Sequence, residues 1–243
     1  MYYSLHYEHG SLVDDREPSR YVKHIKGEVR EYIDDDGNEE PIGRFSVYIV
    51  DGAAALNEGE SLFDVFDMSS SLFSCYQELY GRDEDLKRKV LRAMKTDMTF
   101  DSGVLILDRL ELIPSRRGRG AGLQILRWME HQFRMGCGVV VLKPFPLQFE
   151  GGTPEEREAD EDDRDFKRLE LGSYERRFDV ALRKLQRHYA KLGFAKVPGT
   201  PYMVADPLRR LPRLDPREWI PGDRHFEEAD EVSNFGIEVR KAA

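Results

Sequence analysis

The feature that most constrains this chain is a glycine-rich turn that separates an apolar strand from an amphipathic helix. The apolar run 103–113 predicts a buried strand that Pro114 ends, and apolar positions repeat at helical spacing over 123–135. Between them stand Arg117, Gly118, Arg119, Gly120, Ala121 and Gly122. Glycines allow successive amides to point the same way, and the first turn of a helix adds unpaired N–H donors. The segment therefore predicts a site that binds an anion such as a diphosphate.

Two common phosphate-binding signatures do not match this turn. A Walker loop needs Lys followed by Ser or Thr after its last glycine, whereas Leu123 follows Gly122 here. A dinucleotide-binding turn has the spacing Gly-x-Gly-x-x-Gly, whereas the glycines here alternate with single residues. A short Arg-Gly contact to nucleic acid is a further interpretation, but 37 basic against 46 acidic residues give a net charge of −9. That balance argues against nucleic acid as a partner, because neutralising phosphates needs a basic surface.

Two motifs in order resemble the GNAT superfamily of acyl-coenzyme A-dependent N-acyltransferases. The first is Arg117-Gly118-Arg119-Gly120-Ala121-Gly122 behind a strand, and the second is Tyr189-Ala190-Lys191-Leu192-Gly193-Phe194 at the end of a predicted helix. The apolar run 139–142 between them predicts a central strand. The resemblance covers residues 104–205 and implies an α/β fold with a mixed, mostly antiparallel sheet flanked by helices. It also implies that the strands at 105–113 and 139–142 splay apart.

The resemblance implies acetyl-coenzyme A as the co-substrate and a primary amine, free or on a peptide, as the acceptor. Backbone groups of Leu110 and Leu112 would pair with the pantetheine arm in the gap between the strands. Main-chain amides from Arg117 to Gly122 would hold the pyrophosphate, and the side chains of Arg117 and Arg119 would add charge. The amine would attack the thioester directly, a backbone N–H near Leu112 would stabilise the oxyanion, and Tyr189 would protonate the departing thiolate. By its spacing alone, Tyr189 also fits a packing role on an apolar helical stripe.

A base must take a proton from the attacking ammonium, and the strand before the turn carries two candidate carboxylates. Asp108 lies in the register where some members of this superfamily place a strand carboxylate, and Glu111 is the other acid on the same strand. Three positions separate them, so strict alternation sends them to opposite faces and only one can face the acyl group. Asp108 is slightly preferred as the base, and a strand-end salt bridge is the alternative role for it.

The remainder of the chain predicts one domain with additions. An acidic insertion interrupts the core, and it is predicted to be a solvated loop or lid because eight acids face two arginines over 155–165. Turn chemistry and apolar spacing predict a β-hairpin and two helices before the core. The predicted segments are the hairpin at 21–33 and 42–50, helices at 62–80 and 83–94, the N-terminal part at 1–103, the core at 104–205, the insertion at 148–177, a helix at 178–192, and a proline-rich tail at 206–243 with a short strand at 235–239.

Other residue types predict little chemistry. The six histidines show no metal-ligand spacing, so no metal is predicted. Cys75 and Cys137 have apolar surroundings and predict buried thiols in a reducing compartment. The chain carries neither a secretory leader pattern nor a membrane-spanning apolar run, which predicts a cytoplasmic protein without a membrane partner. The alternative function is a coenzyme A-binding module without turnover, because the stretch before Tyr189 lacks an Asn that many superfamily members carry.

Overall fold

Seven strands form one mixed sheet in the computed structural model of the chain, which describes residues 2–9, 18–34, 36–118, 120–209 and 211–212. The strands are β1 Tyr3–Glu8, β2 Val22–Tyr32, β3 Glu39–Val50, β4 Gly103–Leu112, β5 Cys137–Leu142, β6 Ala195–Lys196 and β7 Met203–Ala205. Their spatial order is β1-β2-β3-β4-β5-β7-β6, and only β4 and β5 pair in parallel. The predicted mixed, mostly antiparallel sheet is therefore confirmed. The predicted hairpin is β2 and β3, and β1 adds an edge strand for which the sequence pattern made no prediction.

The two central strands stay together only over the first half of β4. The ladder runs from Gly103, opposite Cys137, to Leu107, opposite Leu142. Beyond this point β5 ends, while β4 continues beside β3 to Leu112. The predicted splay is seen only as this end of the pairing: β5 itself pairs with β4 along its whole length, and the rest of β4 has one edge without a strand partner among the described residues.

A β-bulge interrupts β4 where the strands part. The β3–β4 ladder places Ser46 opposite Arg109 and skips Asp108, which is an extra residue. An extra residue reverses the alternation of the side chains that follow it. Asp108 bonds to Ser46, and Glu111 lies opposite Arg44, two residues away on the same face of β3. The prediction that Asp108 and Glu111 face opposite sides of the sheet is therefore wrong.

Helices cover both faces of the sheet. Side chains of α5 and of the segment after α8 pack against one face of the sheet. Side chains of α1 to α4 pack against the other face. The predicted single helix at 62–80 is broken, because Ser69 accepts the amide of Leu72 at 3.2 Å and starts a new helix. The helix predicted at 83–94 begins only at Arg88. The helices are α1 Gly52–Asn57, α2 Leu62–Phe66, α3 Ser70–Leu79, α4 Arg88–Met94, α5 Ala121–Phe133, α6 Pro154–Ala159, α7 Arg164–Arg168 and α8 Phe178–Ala190.

The acidic insertion is folded, which corrects the prediction of a solvated loop. Its acids act as helix caps and ion-pair partners: Asp163 accepts the amide of Phe166 at 2.9 Å and pairs with Arg157 at 2.7 Å. Phe166, Leu169 and Leu171 form a small buried cluster of their own. Net charge does not predict whether this segment folds, because it ignores contacts such as those of Asp163 with Arg157 and with the amide of Phe166.

Two other predictions concern chain segments rather than the sheet. In the described part of the chain, each helix is too short or too polar to cross a membrane. Almost all of the proline-rich tail, including the strand predicted at 235–239, lies outside the described residues.

Helix α5 carries a charged residue into the core. Glu130 is only 1% exposed, and no described residue donates a hydrogen bond to either of its carboxylate oxygens. Arg134 Nη1 lies 3.5 Å from Oε1 in ion-pair contact only. Burial raises the pKa of the Glu130 carboxyl to about 7, although Arg134 opposes the shift. The folded protein therefore favours the protonated acid far more than the unfolded chain does.

Glu130→Gln should remove a pH-dependent loss of stability. The raised pKa means that the wild-type protein loses unfolding free energy as pH rises from about 4.5 through about 7, on the order of 3 kcal/mol in all. The variant has no carboxyl to ionise, so its advantage over the wild type should grow across that window. Urea unfolding at pH 5 and pH 8 measures the difference, with the exposed Glu161→Gln as control. If the unfolding free energies of wild type and Glu130→Gln changed equally between pH 5 and pH 8, the assignment would be contradicted.

Candidate functional site

The candidate site is the opening between β4 and the chain that leaves β5. Pro144 and Pro146 follow β5, and proline cannot donate a hydrogen bond to a neighbouring strand. On the other side of β4, the amide of Ile113 donates to Ile42 of β3 at 2.8 Å. Main-chain groups of successive residues alternate between the two edges of a strand, so those of Leu112 point into the opening. Those of Leu110, two residues earlier, point the same way.

The glycine-rich turn lies at one end of this opening. A short 3-10 turn at Pro114–Arg116 leads into it, and Gly118 and Gly120 adopt φ of 76° and 77°, which favours glycine. Helix α5 starts at Ala121 without a side-chain cap. Among the described residues, nothing accepts a hydrogen bond from the amides of Gly118, Ala121 or Gly122. The turn therefore offers unpaired donors at a helix N-terminus, as predicted for an anion site. Arg119 lies outside the described residues.

Gly122 is a glycine that the fold itself does not require. A Cβ at this position would lie 3.8 Å from Leu112 Cδ1 and 4.0 Å from His188 Nε2, which are ordinary contact distances. A methyl group would therefore fit at Gly122, and its absence leaves the backbone of the first helical turn bare to an approaching ligand.

The two arginines before the glycines are structural anchors. Arg116 pairs with the buried Glu31 and, at 2.7 Å, with Glu40, both on the β2–β3 hairpin. The amide of Arg117 donates to Pro114 at 3.1 Å. Its guanidinium donates to three acceptors, Leu112 O at 2.7 Å, Leu169 O at 2.7 Å and Tyr174 Oη at 2.8 Å. The structure thus places Arg117 as a tether to the insertion, and neither its amide nor its side chain is turned to an anion.

The insertion is also tied to the free edge of β4 by ion pairs. Arg109 donates to both carboxylate oxygens of Glu150 at 2.7 Å. Glu111 accepts from Arg109 at one oxygen and from Arg168 of α7, at 2.9 Å, at the other. The candidate opening is therefore bordered by a segment that starts directly after β5 and folds back onto β4.

These contacts separate the two candidate bases. The Glu111 side chain is 7% exposed, and guanidinium groups hold both of its oxygens. The Asp108 side chain is exposed and, among the described residues, accepts one hydrogen bond, from Ser46 Oγ at 3.0 Å. Asp108 is therefore the carboxylate that an incoming molecule can reach, and it stands at the bulge where the strands part.

Tyr189 lies on the other face of the sheet. It is partly buried against the same apolar cluster as Leu110, Leu112 and Ala121. Burial raises the pKa of Tyr189 to about 12, so its hydroxyl keeps its proton at neutral pH. The structure brings the turn, Leu112 and Tyr189 to one face and sets Asp108 on the opposite face, so that the two titratable groups flank β4.

Several residues of this region were not found from the sequence. Ser46 and Arg168 bond directly to the predicted acids, whereas His24 bonds to Ser46 and Glu150 bonds to Arg109. These four residues come from separate parts of the chain and follow no local motif. Burial raises the pKa of Cys137 to about 12, which fits a packed thiol rather than a nucleophile. Within the described ranges, no group of three or more His, Cys, Asp or Glu is placed to hold a metal ion.

Comparison of the chain with protein-family models, with curated proteins and with solved structures finds no match.

Arg117→Lys should loosen the insertion without unfolding the protein. A lysine keeps the charge but cannot bridge three acceptors in a fixed fork. We expect amide hydrogen exchange over 166–174 to become about 5- to 30-fold faster, which corresponds to about 1–2 kcal/mol of local stability. Mass spectrometry of exchanged peptides measures the change. Arg116→Lys is the matched control, because Arg116 contacts the hairpin instead. Unchanged exchange in Arg117→Lys would show that the ion pairs on β4 hold the insertion alone.

Proposed function

We propose that this protein transfers an acetyl group from acetyl-coenzyme A to a primary amine, in the manner of the GNAT superfamily that its motifs resemble. The observation that carries the proposal is the end of the β4–β5 pairing beside a turn in which the amides of Gly118, Ala121 and Gly122 lack acceptors among the described residues. A strand edge can pair with an extended ligand, and a helix N-terminus favours a diphosphate. Coenzyme A contains both chemical groups in one molecule.

The residues present fit this co-substrate. The diphosphate would accept hydrogen bonds from the amides of Gly118, Ala121 and Gly122, in the space left by the missing side chain of Gly122. The pantetheine arm would lie along β4 and pair with Leu110 and Leu112. Because Arg117 holds the carbonyl of Leu112, that side chain must first release it.

The positions of Asp108 and Tyr189 support direct transfer. The ammonium of the acceptor would lose a proton to Asp108, and the free amine would attack the thioester carbon. A backbone N–H near Leu112 would stabilise the oxyanion. When the carbon–sulfur bond breaks, Tyr189 would protonate the departing sulfur. The second proton of the attached nitrogen would then pass through water to the Tyr189 oxygen, which leaves a neutral amide, a free thiol and an intact tyrosine. A base on one face and an acid on the other would serve attack and departure from opposite sides of the sheet.

One observation favours a second candidate, a coenzyme A-binding module without turnover. Arg117 occupies the carbonyl of Leu112, and the insertion is held on the free edge of β4. A protein that binds coenzyme A only when the insertion moves could use binding as a signal. Both candidates need the same turn, so they differ only in whether an amine is acetylated.

Gly122→Ala tests the binding site that both candidates share. The added methyl group has room in the fold. Because alanine favours a helix over glycine by up to about 1 kcal/mol, the thermal unfolding midpoint should stay equal or rise. The same methyl group would obstruct the diphosphate, so the affinity for coenzyme A in calorimetry should fall at least about tenfold.

Ser115→Ala, at an exposed position in the 3-10 turn that leads into the glycine-rich turn, is the control and should bind coenzyme A as the wild type does. Wild-type protein without measurable affinity for coenzyme A would contradict both candidates. If coenzyme A binds, release of free thiol from acetyl-coenzyme A with a panel of primary amines decides between them. Thiol release identifies the enzyme, and binding without release identifies the module.

Tyr189→Phe should slow acetyl transfer while it preserves binding. General acid catalysis contributes about 10²–10⁴-fold to a rate. The single-turnover rate should therefore fall by about this factor, which corresponds to an activation barrier about 3–5 kcal/mol higher. The ring remains to pack in the core, so the unfolding midpoint and coenzyme A affinity should change little. Rapid-quench measurement of the acetylated amine gives the rate. An unchanged single-turnover rate would leave Tyr189 with a packing role only.

A further inference from the structure

A chain of hydrogen bonds crosses three neighbouring strands on the face that carries Asp108. Ser46 Oγ of β3 donates to Asp108 Oδ2 at 3.0 Å. His24 Nε2 of β2 lies 3.0 Å from the same Ser46 Oγ. Ser46 is only 7% exposed, so water has little access to its hydroxyl. The carboxylate at the opening is thereby connected to an imidazole two strands away.

The hydrogen-bond inventory gives this chain a direction. A serine hydroxyl has one proton, and Ser46 spends it on Asp108. The oxygen of Ser46 must then accept, so His24 must donate from Nε2, which assigns the Nε2–H tautomer. Both donors point towards Asp108. Such a chain stabilises the carboxylate anion and fixes the orientation of its oxygens.

The surroundings of His24 hold the ring in place. Its imidazole stacks on Tyr48 of β3, with ring centroids 4.0 Å apart and planes within 16°. The charged or titratable groups near the ring are Lys26 on β2, Tyr48 on β3 and Asp108 on β4. Tyr202, directly before β7, also interacts with Asp108. Burial lowers the pKa of His24, and Lys26 adds to this effect while Asp108 opposes it. The lowered pKa favours the neutral imidazole, which can donate through one nitrogen only.

We propose that His24 and Ser46 are positioning residues that hold Asp108 as the proton acceptor for the amine. The inference rests on the proposed function. In the step it serves, a proton passes from the substrate ammonium to the Asp108 carboxylate, which leaves a neutral amine and a carboxylic acid. The exposed acid then returns its proton to water. The bulge makes this possible, because it adds Asp108 at the point where the central strands part.

Nitrogen-15 NMR of the free protein tests the chain itself. We expect the Nε2–H tautomer for His24 at neutral pH, and a changed Nε2 environment in Ser46→Ala. The Nδ1–H tautomer would reverse the direction of the chain and overturn the inference. This measurement needs no substrate, so it is independent of turnover.

The pH dependence of acetyl transfer tests the role of the chain. His24→Phe keeps the stacked ring but removes the donor, and Ser46→Ala removes the link. Both should lower kcat/KM about tenfold to a hundredfold at pH 7, through kcat rather than KM, and change the ascending limb of the pH profile. His24→Gln restores an N–H donor and should recover most of the rate. Asp108→Asn, which removes the acceptor, should lose the ascending limb.

The outcomes separate this inference from the proposed function. If the wild type releases no thiol with any amine, the proposed function fails. If wild type, His24→Phe and Ser46→Ala all transfer acetyl groups with the same pH profile, the function holds and the positioning role is overturned. The rate could also fall without movement of the ascending limb and without rescue by His24→Gln. That result would leave both residues with a structural role only and would overturn the positioning role.

Discussion

The pairing of β4 with β5 ends before β4 does, and the arrangement of the candidate site depends on this fact. Up to Leu107 the two strands complete each other's hydrogen bonds in the core. Beyond it, β4 must satisfy one edge by other means, because unpaired main-chain groups are costly when water is excluded. Arg117 supplies one of these bonds by donating to Leu112 O. The exposed edge is thus both a cost to the fold and the feature that a strand-like ligand could use.

Charge pairing explains how a strongly acidic segment can lie against that edge. Arg109 stands between Glu111 and Glu150, and Arg168 approaches Glu111 from the insertion. Each of these carboxylates meets a guanidinium, so the insertion is held by specific bonds while its outer acids remain in water. Exposed ion pairs of this kind are individually weak, but the buried position of Glu111 makes its two partners difficult to remove.

Local patterns predicted the elements of the site, whereas contacts between distant residues decided its geometry. The strand before Pro114 and the helix after Gly120 were predicted within two residues of their observed bounds, because apolar period and glycine chemistry act over a few positions. The bulge at Asp108 was not predicted, since it exists only in the pairing of β4 with β3. Ser46, its hydrogen-bond partner, is 62 residues away.

The role of Arg117 was missed for the same reason. Its local setting in a basic, glycine-rich turn suggested a phosphate ligand, but two of its acceptors, Leu169 and Tyr174, come from the insertion more than fifty residues later. The fold of that insertion was also beyond a count of charges. Its helices depend on which acid caps which amide, as with Asp163 and Phe166.

Consecutive arginines suspend the glycine-rich turn between two distant parts of the molecule. Arg116 is bound to the β2–β3 hairpin and Arg117 to the insertion, so the start of the turn is held from two sides. A molecule that shifted the backbone of the turn would therefore also strain the contacts of Arg116 with the hairpin and of Arg117 with the insertion. If the turn binds an anion and this binding shifts either attachment, thermodynamic reciprocity requires that a macromolecule bound to the hairpin or to the insertion change the affinity for that anion by the same factor. The two arginines thus provide a physical route by which the surfaces of the β2–β3 hairpin and of the insertion could be energetically coupled.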